Sequence, residues 1–139
     1  MLLVSVRRGA WVGIGKIATE DAGQGEPVVL IHGLTGNLET WTPLATDLAK
    51  TNYVVSLDAR GHGKSDKPTD PSAYGAEMAE DVVRLMDHLR VKKAHVMGYS
   101  MGGGHSTTIG FGHPELFSVV GGFSGYSRPA AEPLLAAPA

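Results

Sequence analysis

The chain has 139 residues, enough to bury the core of one domain. Its 12 basic and 14 acidic side chains give a net charge of -2, too balanced for a protein that binds nucleic acid or a charged membrane surface. The absence of cysteine excludes disulfide bonds and thiolate metal sites. No stretch is long and apolar enough to span a bilayer, and the start does not read as a secretory signal. We therefore expect a soluble, cytoplasmic protein.

Short β-rich runs alternate with longer amphipathic runs, which predicts an α/β protein with a largely parallel sheet. An opening pair of strands is expected at residues 3–6 and 11–17, and a loop at residues 23–27. The run PVVLIHG, residues 27–33, is continuously apolar up to its histidine. It is typical of an internal parallel strand that is buried on both faces.

The middle of the chain predicts two helices with a strand between them. Thr42 followed by Pro43 is typical of a helix start. The buried stripe expected for that helix is Leu44, Ala45, Leu48 and Ala49. Residues 53–58 predict the strand, and a polar loop follows from residue 59 to about residue 73. Helical periodicity then connects Met78, Val82, Leu85, Met86 and Leu89.

The motif GYSMG, residues 98–102, follows the predicted strand AHVM and fits the pattern G-x-S-x-G. A nucleophile on a sharp strand-to-helix turn has a strained backbone, so its neighbours must be small. Gly98 and Gly102 meet that requirement. The helix after Ser100 contains several glycines, each costing about 1 kcal/mol relative to alanine, so tertiary packing must hold it. SVVGGF, residues 118–123, is the last predicted strand.

Two further motifs precede the serine. HGLTG, residues 32–36, follows the PVVLI strand, and the amides of Leu34 and Met101 form a natural pair of donors for a tetrahedral oxyanion. In isolation, HGLTG is more simply a glycine turn between a strand and a helix. DARGHGKS, residues 58–65, reads as a salt-bridged, glycine-shaped loop with a structural role.

Together, PVVLIHGLTG, SLDARGHGKSDKP and AHVMGYSMGG with HPELF behind it resemble the α/β-hydrolase superfamily from about residue 10 to residue 123. The similarity is to its small esterases and lipases, its non-haem haloperoxidases and its carbon–carbon bond hydrolases. The resemblance implies a truncated α/β-hydrolase fold: a mostly parallel sheet of about six strands flanked by helices, without the C-terminal strands. It implies Ser100 as nucleophile, Leu34 and Met101 as the oxyanion hole, and His32 as a support of the oxyanion turn. It implies no cofactor or metal.

The order of residues after Ser100 departs from that family. The family places an acid and then a histidine after the serine. Here the acids after Ser100 are Glu115 and Glu132, and both follow the two histidines, His105 and His113. The sequence therefore corresponds to the first half to two-thirds of the fold. We expect a partial hydrolase core in residues 1–123 and an Ala/Pro-rich tail in residues 124–139.

A base must come within hydrogen-bond reach of the serine hydroxyl. His32 and His62 are the candidate surrogates, because both are expected near the carboxyl edge of the sheet. A partner chain is the other source. The last predicted strand would expose an apolar edge, which predicts a homo-oligomer formed through that C-terminal end of the sheet.

Two functions follow from these patterns. The first is a serine esterase or lipase-like hydrolase acting on a small uncharged ester. The alternative is a catalytically incomplete half-domain that acts as a scaffold, a binding module or one subunit of a split or oligomer-completed hydrolase. A perhydrolase of the haloperoxidase kind would share the site of the first.

Overall fold

The structure, a computed structural model, describes residues 4–5, 10–12 and 15–123. The strands in these residues are β1 (Val4–Ser5), β2 (Ala10–Val12), β3 (Gly15–Ile17), β4 (Thr19–Ala22), β5 (Glu26–Ile31), β6 (Asn52–Leu57), β7 (Ala94–Tyr99) and β8 (Phe117–Phe123). The α-helices are α1 (Thr42–Leu48), α2 (Ala76–His88) and α3 (Met101–Gly112). Single 3₁₀ turns cover Leu38–Trp41 and Pro71–Ala73. The predicted tail, residues 124–139, lies outside the described residues.

The described strands form a six-stranded sheet in the order β1-β4-β6-β5-β7-β8 and a separate two-stranded pair, β2-β3. The four strands from β6 to β8 are parallel, while β1 and β4 join antiparallel at one edge. The predicted fold class, an α/β protein with a mostly parallel sheet of about six strands, is confirmed. Parallel strands place their carboxyl ends at one edge, so β5, β7 and β8 all lead to the region around Ser100.

Apolar side chains cover both faces of the sheet. On one face, alternate residues of β5, β6 and β7 pack against α2 and α3. Val82, Leu85 and Met86 of α2 are buried in this cluster, as their helical spacing predicts, and Leu85 is 1% exposed. On the other face, Val28, Leu30 and Val54 pack beside α1 in a smaller cluster. Burial on both faces explains why β5 is continuously apolar after its first two residues.

Two local predictions differ from the structure. The buried stripe predicted for α1 is confirmed only in part: Ala49, just past the helix end, is buried and Ala45 and Leu48 are half-buried against the smaller cluster, whereas Leu44 is exposed. At the start of the chain, the structure adds β4, which pairs antiparallel with β6. Its sequence, TEDA, is polar and carries no strand signal; this strand, second from the edge, is held by backbone pairing with β1 on one side and β6 on the other.

The residues that the structure describes include no helix long and apolar enough to cross a membrane. β8 stands at the edge of the six-stranded sheet, where Val119 and Phe123 are exposed. The homo-oligomer expected through this edge stays a prediction.

A buried ion pair connects the loop after β6 to α2. Arg60 donates from Nε and Nη2 to the two carboxylate oxygens of Asp81, at 2.9 and 2.6 Å, and both residues are almost fully buried. Arg60 also donates from Nη1 to the Ala73 carbonyl at 2.6 Å. These three hydrogen bonds hold the loop that contains Arg60 at the carboxyl end of β6.

Replacing Asp81 by alanine would leave the guanidinium of Arg60 buried without its carboxylate. We expect Asp81→Ala to lower the free energy of unfolding by about 3–5 kcal/mol, measured by urea denaturation. The matched control is Asp47→Ala, which removes an exposed pair with Lys50 and should change stability little. Equal effects of the two substitutions would contradict a structural role for the buried pair.

Candidate active site

Ser100 lies on the sharp turn between β7 and α3. It is the N-cap of α3, with φ 54° and ψ -118°, a left-handed backbone conformation that a non-glycine residue adopts only under strain. Its side chain makes no capping hydrogen bond and is partly exposed. Its N–H donates to the Phe123 carbonyl at 2.7 Å, which ties the turn to the end of β8. The hydroxyl is thus presented to solvent from a fixed backbone.

The two glycines of GYSMG make this turn possible. A Cβ added to Gly102 would overlap the carbonyl oxygen of Ile31 at the end of β5. A Cβ added to Gly98 would overlap the carbonyl of Gly102. Only residues without side chains let α3 begin this close to the neighbouring strand.

The turn after β5 also lies close to Ser100. A Cβ added to Gly33 would lie 3.2 Å from the Ser100 Cβ and 3.0 Å from the Tyr99 ring. The turn is closed by the Gly36 N–H, which donates to the Gly33 carbonyl at 3.0 Å. Leu34, next to Gly33, therefore stands beside the nucleophile turn, as HGLTG predicts.

The amides of Leu34 and Met101 are the candidate oxyanion donors. Met101 is the first residue of α3, where an N–H has no acceptor within its own helix. The Leu34 N–H donates no hydrogen bond to another residue in the range 15–123. The positive end of the α3 dipole adds to the attraction for negative charge at this point. A tetrahedral oxyanion requires two such donors aimed at one point, which makes these two amides the candidate pair.

His32 is fully buried directly behind this turn. Its Nε2 accepts the Ala59 N–H at 2.9 Å, so its Nδ1 carries the proton and donates to the Gly33 carbonyl at 2.8 Å. Burial lowers the pKa of His32; the Gly33 hydrogen bond opposes this, and nearby His62 lowers the pKa further. With both nitrogens bonded to backbone, His32 is suited to hold the oxyanion turn rather than to take a proton from Ser100.

His62 is the other candidate base. Its ring lies 5.1 Å from that of His32, and its Nδ1 is 3.1 Å from the Arg60 carbonyl. If Nδ1 donates to that carbonyl, Nε2 is left as the acceptor. In the described part of the chain, however, no histidine nitrogen is hydrogen-bonded to the Ser100 hydroxyl. The structure places Ser100 beside the turn that contains Leu34 and directly before Met101, and it does not place His32 or His62 on the Ser100 hydroxyl.

His105 joins this group of histidines from the first turns of α3. Burial lowers its pKa, and the charges of His32 and His62 lower it further, whereas Asp81 raises it. The sequence marks His105 only as an unusual residue for its position. Among the described residues, no group of three or more His, Asp or Glu side chains is arranged to hold a metal ion.

Asp58 was missed as a site residue by sequence reasoning. Its buried carboxylate accepts the N–H groups of Leu38 at 2.8 Å and Lys64 at 2.9 Å. It therefore connects the segment after the oxyanion turn to the glycine loop of residues 61–63. The sequence signal that could have identified Asp58 is its place at the carboxyl end of a predicted strand.

Comparison with known proteins agrees with this geometry. A family model described as alpha/beta hydrolase fold matches residues 26–120, well over half of the chain. The chain belongs to the α/β-hydrolase fold family. The protein named "Putative carbamate hydrolase RutD" of Caulobacter segnis is 36% identical over 105 residues, which cover 75% of this chain and 39% of that protein.

Two further similarities lie within the same family. The esterase YbfF of Escherichia coli (strain K12) is 42% identical over 77 residues, covering 55% of this chain and 30% of the esterase. The crystal structure of the enol-lactonase from Burkholderia xenovorans LB400 superposes with a TM-score of 0.74 at 31% identity, covering 78% of this chain and 43% of the lactonase. This α/β-hydrolase chain thus spans less than half the length of each of these three proteins.

The close approach of α3 to β5 predicts a large effect of a single methyl group. We expect Gly102→Ala to lower the free energy of unfolding by about 1–3 kcal/mol, because the new Cβ meets the rigid Ile31 carbonyl. Gly112→Ala is the control: a Cβ at the last residue of the same helix meets nothing within 4 Å, and alanine favours helix. Thermal and urea unfolding would measure both, and a neutral Gly102→Ala would contradict the backbone contact.

The buried histidines predict a loss of stability in acid. Because burial lowers the pKa of His32 and of His105 below the ordinary value for histidine, the unfolded chain binds protons first as the pH falls. We expect the free energy of unfolding to decrease as the pH falls below about 6.5, measured by urea denaturation between pH 7.5 and 5. His105→Gln should reduce this slope, and His88→Gln, at an exposed position, should leave it unchanged. A slope independent of His105 would show that its burial does not affect folding.

Proposed function

We propose that this protein is a serine hydrolase that acts on small uncharged carboxylic esters. The observation that supports the proposal best is the placement of the partly exposed Ser100 hydroxyl beside the turn that carries Leu34, with Met101 starting α3 directly after it. The hydrolase and esterase names of the similar proteins support the same reaction class.

In this proposal, Ser100 Oγ bonds to the ester carbonyl carbon while its proton passes to a base. The carbonyl oxygen becomes an oxyanion, held by the N–H groups of Leu34 and Met101. The carbon–oxygen bond to the alcohol then breaks, and the alcohol leaves with a proton. Water next attacks the acyl-enzyme, releasing the carboxylic acid and restoring the serine. Each oxyanion donor contributes about 2.7–4 kcal/mol to transition-state stabilisation in a comparable serine hydrolase.

The rate of this reaction depends on the base that takes the proton from Ser100. In a comparable enzyme, removing the base costs about 10⁶ in turnover and leaves about 10³–10⁴ over water from the oxyanion hole and binding. Of the two surrogate bases, His62 is the one whose Nε2 has no hydrogen-bond partner among the described residues. A base from another chain is the second source. Ester turnover alone therefore does not distinguish a complete triad from an oxyanion hole acting without one.

The test is covalent labelling with a fluorophosphonate probe, followed by intact mass measurement. In this reaction, Ser100 Oγ bonds to phosphorus and fluoride leaves. We expect one adduct per chain in the wild-type protein and none in Ser100→Ala. Ser118→Ala removes an exposed serine on β8 and should be labelled like the wild type. p-Nitrophenyl acetate hydrolysis should show the same dependence on Ser100.

Absence of labelling in the wild-type protein would contradict the hydrolase proposal. It would favour the alternative, a catalytically incomplete half-domain acting as a scaffold, a binding module or one subunit of a split enzyme. Labelling that persists in Ser100→Ala would place the reactive group elsewhere.

A further inference from the structure

Three large side chains around Ser100 remain exposed in the structure. Leu34, Tyr99 and Phe123 are 64%, 49% and 55% exposed. Each stands at the carboxyl end of one of three adjacent parallel strands: Leu34 follows β5, Tyr99 ends β7 and Phe123 ends β8. Exposed apolar side chains gathered at one point, rather than scattered singly, are typical of a binding surface.

Backbone contacts fix these side chains next to the nucleophile. Tyr99 directly precedes Ser100 and is paired with Phe123 in the β7–β8 register. The Phe123 carbonyl accepts the Ser100 N–H at 2.7 Å. The Tyr99 ring lies 3.0 Å from where a Gly33 Cβ would stand, which places Leu34 on the other side of the same turn. All three therefore belong to backbone segments that meet at Ser100.

We propose that Leu34, Tyr99 and Phe123 form the surface that binds the acyl chain of the substrate. This inference rests on the proposed serine hydrolase function and names its substrate class: esters whose acyl group is an uncharged, apolar chain of several carbons. An acyl chain must leave the reacting carbon at the rim where these side chains stand. Each methylene of the acyl chain that covers these side chains removes apolar surface from water, both on the acyl chain and on the protein.

An acetyl group is too short to cover these side chains, so it gains little from them. A carboxylate at the end of the acyl chain would lose hydration against Leu34, Tyr99 or Phe123 without finding a cationic partner among the three. The surface should therefore favour a hexanoyl group over both an acetyl group and an anionic acyl group of similar length.

The experiment compares three esters of p-nitrophenol: the acetate, the hexanoate and the monoglutarate, whose acyl chain carries a carboxylate. For the wild-type protein we expect the highest kcat/KM with the hexanoate. Phe123→Ala and Leu34→Ser should each lower the hexanoate-to-acetate ratio of kcat/KM by about tenfold, the size of effect that a few methylene contacts have in an apolar pocket. Phe123→Leu, which stays apolar, should lose less.

Phe111→Ala is the matched control. Phe111 is also 50% exposed, but it lies near the far end of α3, about 15 Å along the helix from Met101. Its substitution should leave the ratio unchanged. Leu34→Ser alters a more exposed side chain outside any helix or strand, so it keeps the test valid if Phe123→Ala fails to fold.

The possible outcomes separate this inference from the function on which it rests. If Ser100 is labelled and esters are hydrolysed, but the variants leave the hexanoate-to-acetate ratio unchanged, the acyl surface is overturned and the hydrolase stands. A ratio that Phe111→Ala lowers equally would also overturn it. If Ser100 is not labelled at all, the hydrolase proposal fails and the acyl surface fails with it. A ratio lowered only by the variants at positions 34 and 123 supports the inference.

Discussion

The contact of the α3 backbone with the end of β5 is the constraint on which the site depends. Gly102 meets the Ile31 carbonyl so closely that no side chain fits between them, and Gly98 meets the carbonyl of Gly102 in the same way. The helix therefore begins beside the turn after β5. Met101, the first residue of α3, thus starts the helix beside the turn that contains Leu34. A larger residue at either glycine would move the helix and separate the two donors.

Buried polar groups hold the other side of the same turn. His32 bonds to the Gly33 carbonyl and the Ala59 N–H, which connects the ends of β5 and β6. Asp58 bonds to Leu38 and Lys64, which connects the segment after the turn to the glycine loop. A buried polar group left without a partner costs about 1–3 kcal/mol, so these bonds resist rearrangement of the turn. HGLTG and DARGHGKS are thus two halves of one support, although they lie about 25 residues apart in the chain.

The parts of this structure that could be predicted are those where local pattern and tertiary packing agree. The apolar spacing of α2 fixes its buried face, and Gly98 and Gly102 mark the sharp turn at Ser100, because no other residue fits there. β4 could not be predicted, since its polar residues are held by backbone pairing with β6. The exposure of Leu44 was missed because the spacing of Leu44 and Leu48 shows which residues share a face, not whether another element covers each of them.

The features of the candidate site also divide into those that could be predicted from sequence and those that could not. The turns that carry Ser100, Leu34 and Met101 could be predicted from sequence because turn geometry depends on neighbouring residues, and the roles of these residues stay predictions. The roles of Asp58 and of the Phe123 carbonyl depend on which strands are adjacent, and strand order is a property of the folded sheet. The exposed group formed by Leu34, Tyr99 and Phe123 also appears only when three distant segments are placed side by side.

The position of the histidines indicates what this part of the fold contributes to catalysis. His32 is neutral and fully engaged with backbone, and protonating it would break its bond from Ala59. A histidine in that state stabilises a turn but accepts no proton during turnover. The turn at Ser100 and the turn that contains Leu34 are therefore held by contacts within residues 15–123 that involve no base for Ser100. In the proposed mechanism, the amides of Leu34 and Met101 would hold the developing negative charge without moving, whichever group removes the proton from Ser100.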